Sequence, residues 1–181
     1  GINLIADEFG FVGRPIDYLK WMIPLIKEYS GVHISLHAGE STLADGHVLD
    51  SILLGAQRIG HGLSLQHSVR TEKILKERMI CIEACLLSNK ILGFVPDVEA
   101  HPAKEWIRKG LKICLNTDDP GIFDTSLTDE FYYATTAFDL ALADIRRIVI
   151  ESLQSSFMLE KEKAQTIRKL AGKFDKYVTN Y

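Results

Sequence analysis

The feature that most constrains this chain is a regular change of texture along it. Short apolar runs, each ended by a polar or glycine-containing break, alternate with longer stretches of helical spacing. The runs are Ile2–Ala6, Val32–Leu36, Arg58–Gly60, Met79–Ala84 and Lys112–Asn116. They are too short for helices and read as buried strands. Between them, a helix is expected over Pro15–Tyr29, with Ile16, Leu19, Met22, Ile23 and Ile26 on one stripe and Pro24 kinking or splitting it. Val48, Leu49, Ile52, Leu53 and Ala56 form a second stripe. Ser68 is placed to cap a helix over Val69–Arg78. A further helix is expected over Pro102–Lys109, entered at a proline and stopped by Gly110. Cys85–Asn89 reads as a loop. After the fifth run the pattern is helical: Ser126 and Asp129 have capping-box spacing, followed by helices over Ile145–Phe157 and Glu160–Tyr177. Strands alternating with helices predict a parallel sheet with right-handed crossovers.

Composition narrows the class further. With 181 residues, 46% hydrophobic and 25% charged, the chain can bury one core and reads as a single domain over 1–181. A net charge of −3 offers no basic field for nucleic acid or an anionic membrane. No apolar run approaches the roughly 20 residues of a membrane span. Cys81, Cys85 and Cys114 lie in apolar stretches without a Cys-x-x-Cys pair. They read as buried, reduced thiols of a cytoplasmic protein rather than a metal centre. Gly1 opens directly on a strand, and no targeting segment is expected.

The reactive side chains cluster by position. His37 and Glu40 follow the second strand, His61 the third, Ser88 and Asn89 the fourth, Asp118 and Asp119 the fifth. In a parallel α/β sheet the strand C-termini open on one side, where ligands bind. Imidazole and carboxylate are zinc ligands, and zinc lowers the pKa of a bound water to about 7. His37 and Asp118 suit the ligand role. Glu40, His61 and Asp119 suit proton transfer and substrate contact. His33 reads as packing or surface, and His101 as the entry to a helix.

These motifs resemble one family. His37-Ala-Gly-Glu40, Arg58-Ile-Gly-His61-Gly62, Ser88-Asn89 and Leu115-Asn-Thr-Asp118-Asp119-Pro120 follow the order and approximate spacing of the adenosine deaminase family. The resemblance covers nearly the whole chain. It implies a partial (β/α)8 barrel, strands four to eight with additional C-terminal helices. It implies Zn2+ held by His37 and Asp118, Glu40 passing a proton to purine N1, His61 orienting the attacking water, and Asp119 bonding N7. Ala6, Ser88 and Asn89 would contact the substrate, a purine nucleoside deaminated at C6. Related deamination of adenine, AMP or an N6-substituted nucleotide is the alternative within the family. A secreted relative would also carry this pattern.

Three departures stand out. The family has glycine where Ala6 stands and Cys-Pro where Cys85-Leu86 stands. Its His-x-His zinc-ligand pair is absent from this sequence. A barrel of this type needs about 250 residues. The expected partner is therefore the N-terminal part of the same enzyme, or a second copy of this chain. A truncated, non-catalytic chain that binds or assembles through its open edges is the reading from outside enzymology.

Overall fold

The computed structural model describes residues 2–4, 19–29, 31–41 and 46–179. Five parallel strands stand side by side in sequence order: β1 (Ile2–Leu4), β2 (Ile34–Ala38), β3 (Arg58–His61), β4 (Cys81–Ala84) and β5 (Ile113–Leu115). Between them lie α1 (Leu19–Glu28), α2 (His47–Leu53), α3 (Val69–Glu77), α4 (Leu86–Ile91) and α5 (Ala103–Arg108). After β5 come α6 (Pro120–Phe123), α7 (Leu127–Phe138), α8 (Leu142–Gln154) and α9 (Glu160–Thr179). Among the described residues no helix is long and apolar enough to cross a membrane.

Strand register sorts the side chains into rows. Leu36, Ile59, Ile82 and Ile113 are neighbours across the sheet, and all are fully buried. They pack in one core with Val48 and Ile52 of α2, Leu75 of α3, Trp106 of α5, Phe138 of α7 and Ile148 of α8. The other face carries Asn3, Ser35, Arg58 and Cys81 in one row, and His37, Gly60, Glu83 and Cys114 in the next. This face is polar. Arg58 Nε donates to Glu83 Oε1 at 2.5 Å, and Ser35 Oγ donates to the same oxygen at 3.0 Å. A parallel sheet with helices on one face and a polar, inward face is the architecture of a partial barrel.

The helix ends follow the expected chemistry. Ser68 Oγ accepts from Thr71 N at 3.3 Å. Ser126 and Asp129 form a reciprocal capping box at the start of α7. Gly110, just beyond α5, has φ +72, the left-handed turn that ends a helix. One expectation is narrowed and two need correction. Pro24 does not split α1, which continues through it to Glu28. A proline forfeits one backbone bond, which an otherwise regular helix tolerates when packing holds it; Met22 of α1 is buried in the core. Cys85–Asn89 is not a loop, because Leu86–Ile91 is helical. The Glu130 carboxylate accepts from Leu86 N at 2.8 Å and Leu87 N at 3.3 Å, so a side chain from α7 caps α4. α8 begins at Leu142 rather than Ile145, where the Asp144 carboxylate accepts from Ala141 N at 3.2 Å. The expected residues Pro15–Tyr18 and Ala6 lie outside the described residues.

Candidate active site

The strand C-termini converge as a parallel sheet requires. His37 is the penultimate residue of β2 and His61 the last of β3, and their rings lie 5.2 Å apart, centroid to centroid. His61 Nε2 lies 3.5 Å from Glu40 Oε1 and 4.0 Å from Asp118 Oδ2. A cavity of about 430 Å³ opens here, lined by His37, Gly60, His61, Glu83, Asn116 and Asp118 among others. That volume is in the range of small-molecule sites.

Local backbone geometry explains the motif residues. Register pairs His61 with Ala38, in line with the outward rows. His61 instead adopts a left-handed conformation, φ +61, which breaks the pleat at the strand end. Asp118 does the same at φ +56. Such strain costs of order 1–3 kcal/mol and persists where surrounding structure over-determines it. Two glycines make room. Gly60 lies beneath His37, and a Cβ there would stand 3.1 Å from the imidazole. Gly39 has φ +68, and its Cβ would fall 2.3 Å from Ser64 Oγ. Only glycine fits at position 39, directly before Glu40.

Partners hold the reactive groups in place. His37 Nδ1 bonds Asn3 Oδ1 at 3.2 Å; an amide oxygen accepts, so Nδ1 carries the proton and Nε2 the lone pair. This is the outer-shell arrangement seen around metal-binding histidines. Ser88 Oγ donates to Asp118 Oδ2 at 2.6 Å. Asn89 Nδ2 bonds His61 Nδ1 at 3.2 Å, and Asn89 Oδ1 bonds His101 Nε2 at 3.1 Å. Ser88 and Asn89 are both fully buried, so their side chains brace Asp118 and His61. Asp119 is exposed at the N-terminus of α6, with no capping bond from its side chain.

The donor set suits a metal ion. His37 offers a lone pair, Asp118 a carboxylate, and His61, Cys85 and Asp118 each bring a ligand atom within 4.8 Å of the others. Burial, followed by the Asp118, Glu130 and Glu83 carboxylates, pushes the Cys85 thiol well above its ordinary value. Imidazole and carboxylate are zinc donors, and a thiol coordinates only after losing its proton. Glu130, fully buried, has its carboxyl pushed up to about 7, because burial outweighs the two backbone N–H bonds it accepts.

Sequence reasoning missed Asn3, His101 and Glu130. Asn3 faces inward by period-two alternation in an apolar run, a signal that was available. Glu130 sits at capping distance from α4 only because the fold brings α7 there.

The geometry agrees with what the chain is similar to. A profile described as adenosine deaminase matches residues 1–173. An adenosine deaminase of Vibrio parahaemolyticus is 34% identical over 170 residues, 93% of this chain and 49% of that protein. An adenosine deaminase of Escherichia coli is 35% identical over 172 residues, 95% and 50% respectively. The chain thus spans about half the length of the curated relatives it matches. An adenine deaminase structure from Arthrobacter aurescens superposes with a TM-score of 0.86 at 24% identity, over 99% of this chain and 52% of that one. A Burkholderia amidohydrolase with bound Zn superposes at 0.84 and 22% identity, over 99% and 50%. These two share the fold. With a profile match over almost its full length, and the family's motifs gathered at one end of a parallel sheet, the chain belongs to the adenosine deaminase family.

Proposed function

We propose that the protein carrying this chain removes the amine from C6 of adenosine by hydrolysis, giving inosine and ammonia. The observation that carries this reading is the convergence of Glu40 and Asp118 on His61 Nε2, beside His37. His37 and Asp118 are zinc-type donors, and would hold the ion together with ligands from outside this chain, which has no His-x-His. When bound, zinc supplies a water acidic enough to lose a proton near neutral pH. Glu40 delivers a proton to purine N1, so the ring can accept electrons as C6 becomes tetrahedral. His61 hydrogen-bonds the attacking oxygen. Asp119 bonds N7 from the rim, and the backbone at Ala6 meets N3. Ser88 and Asn89 serve the site by fixing Asp118 and His61.

The curated relatives named adenosine deaminase favour the nucleoside over the adenine and N6-methyl-AMP named for two structural neighbours. Among the described residues β1 and β5 are the sheet edges. Further parallel strands from the rest of the protein, or from another chain, would close the barrel, and a cytoplasmic location fits the three buried free thiols. The test is inosine and ammonia release by the intact, zinc-loaded protein, with adenine, AMP and N6-methyl-AMP as competing substrates. The expected result is preference for adenosine, lost on chelation and regained with zinc. Absence of turnover on all four purines would sink the reading and leave a non-catalytic chain.

A further inference from the structure

His61, Asn89 and His101 form a hydrogen-bonded line that is almost wholly excluded from water, at 2%, 0% and 1% exposure. Its polarity can be read from its far end. The backbone N–H of Ala103 points at His101 Nδ1, 3.0 Å away. A backbone N–H only donates, so His101 Nδ1 carries the lone pair. Pro102 has no N–H, which makes that of Ala103 the first one available in this turn. His101 therefore holds its proton on Nε2 and donates to Asn89 Oδ1. Asn89 then presents its amide nitrogen, which donates to His61 Nδ1. A neutral imidazole that accepts at one nitrogen carries its proton on the other.

Resting on the aminohydrolase reading, we propose that His101 is a positioning residue: acting through Asn89, it fixes the proton of His61 on Nε2, toward Glu40 and Asp118. His61 is thereby a hydrogen-bond donor to the reacting oxygen and not a metal ligand, although its ring lies within reach of the same atoms. The line is held rigidly. The His101 ring packs edge-on against Trp106, centroids 6.2 Å apart, and Asn89 opens no side to solvent. Burial, and to a smaller degree His61, lowers the pKa of His101 to about 3, in keeping with a neutral ring at this position.

The experiment is a long-range ¹⁵N–¹H correlation on the intact protein labelled at histidine, which separates Nδ1–H from Nε2–H imidazoles, read beside kcat and KM for adenosine. Wild-type His61 is expected as Nε2–H. Asn89→Asp replaces the donor by an acceptor and should move the proton to Nδ1. A wrong tautomer can cost a hydrolase about 10⁴-fold in turnover. At least about a tenfold loss in kcat is expected here, with KM within about threefold. His101→Phe keeps the ring volume without the donor and should leave His61 a mixture of tautomers. His101→Gln restores a donor and should restore both Nε2–H and kcat. Wild-type His61 found as Nδ1–H overturns the proposal, whatever the variants do or fail to do. So does a tautomer that Asn89→Asp flips without loss of kcat. A protein inert toward adenosine, but with His61 as Nε2–H and flipped by Asn89→Asp, supports the relay and refutes the deaminase reading instead.

Discussion

Adjacent residues of β2 belong to two different kinds of structure. Leu36 faces outward into a continuous apolar layer with Ile59, Ile82 and Ile113, covered by helices. Ser35 and His37 face inward, among Asn3, Arg58 and Glu83, where contacts are hydrogen bonds and one ion pair. The outer layer is held by burial, which is non-directional and roughly proportional to area. The inner layer is held by bonds that need a particular atom in a particular place. Substitutions outside should therefore unfold the protein in proportion to the volume removed. Substitutions inside should spare stability and remove chemistry.

The largest expected effect is at Glu40, on the rim above the inward rows. Glu40→Gln keeps the shape but cannot deliver a proton, so adenosine turnover by the intact protein should fall by at least about 10²-fold, within the 10²–10⁴ range of general acid–base terms. Bound metal, by elemental analysis, and the unfolding midpoint should stay near wild type. Near-normal turnover would remove Glu40 from the mechanism.

Next in size is the outward row. Leu36→Ala should lower unfolding free energy by about 2–5 kcal/mol, the usual loss for emptying a fully buried leucine site. Ser35→Ala, one residue away, removes a single bond to a carboxylate already held by Arg58 and should lose about 1 kcal/mol. Denaturant titration of both variants checks the contrast. Equal losses would break the distinction between the two faces.

A third test uses pH at the junction of the two layers, where Glu130 caps α4. Its carboxyl is raised in the folded protein from 4.5 to about 7, so the unfolded chain ionises first. The stabilisation it provides is complete below about pH 4.5 and is lost as pH rises through about 7. At about 1.36 kcal/mol per unit of pKa the loss is on the order of 3 kcal/mol. His101, lowered from 6.5 to about 3, acts in the opposite sense: its contribution is present above pH 6.5 and lost as pH falls toward 3. The stability difference between wild type and Glu130→Gln isolates the first effect. It should shift against the wild type between pH 4.5 and 7, and a pH-independent difference would contradict the buried, raised carboxyl.

The smallest effect is expected at the periphery of the outer layer. Ser68→Ala removes the N-cap of α3 and should lower stability by about 1 kcal/mol without altering turnover. A measurable change in kcat would mean that α3 communicates with the rim.

Much of this was written locally. The strands, the Ser68 cap, the Ser126 box and the positive-φ glycine after α5 depend on neighbours within a few residues, so period and punctuation announce them. The convergence of His37, Glu40, His61 and Asp118 was legible too, because parallel strands must open their C-termini together. Other features had no local signal. α4 is helical where its sequence reads as a loop, because Glu130 arrives from α7, forty-four residues away, to satisfy Leu86 N. Ser88 and Asn89 carry the side chains of substrate contacts, yet the fold turns them onto Asp118 and His61. His101 looks like the entry to a short helix. Its role at the site depends on a bond to Asn89, which register and packing alone bring within 3.1 Å. Spacing along the chain determined which residues reach the rim of the sheet. Only the tertiary structure decided which of them face the cavity and which hold the others, because hydrogen-bond direction is a property of atoms in space and leaves no period in a sequence.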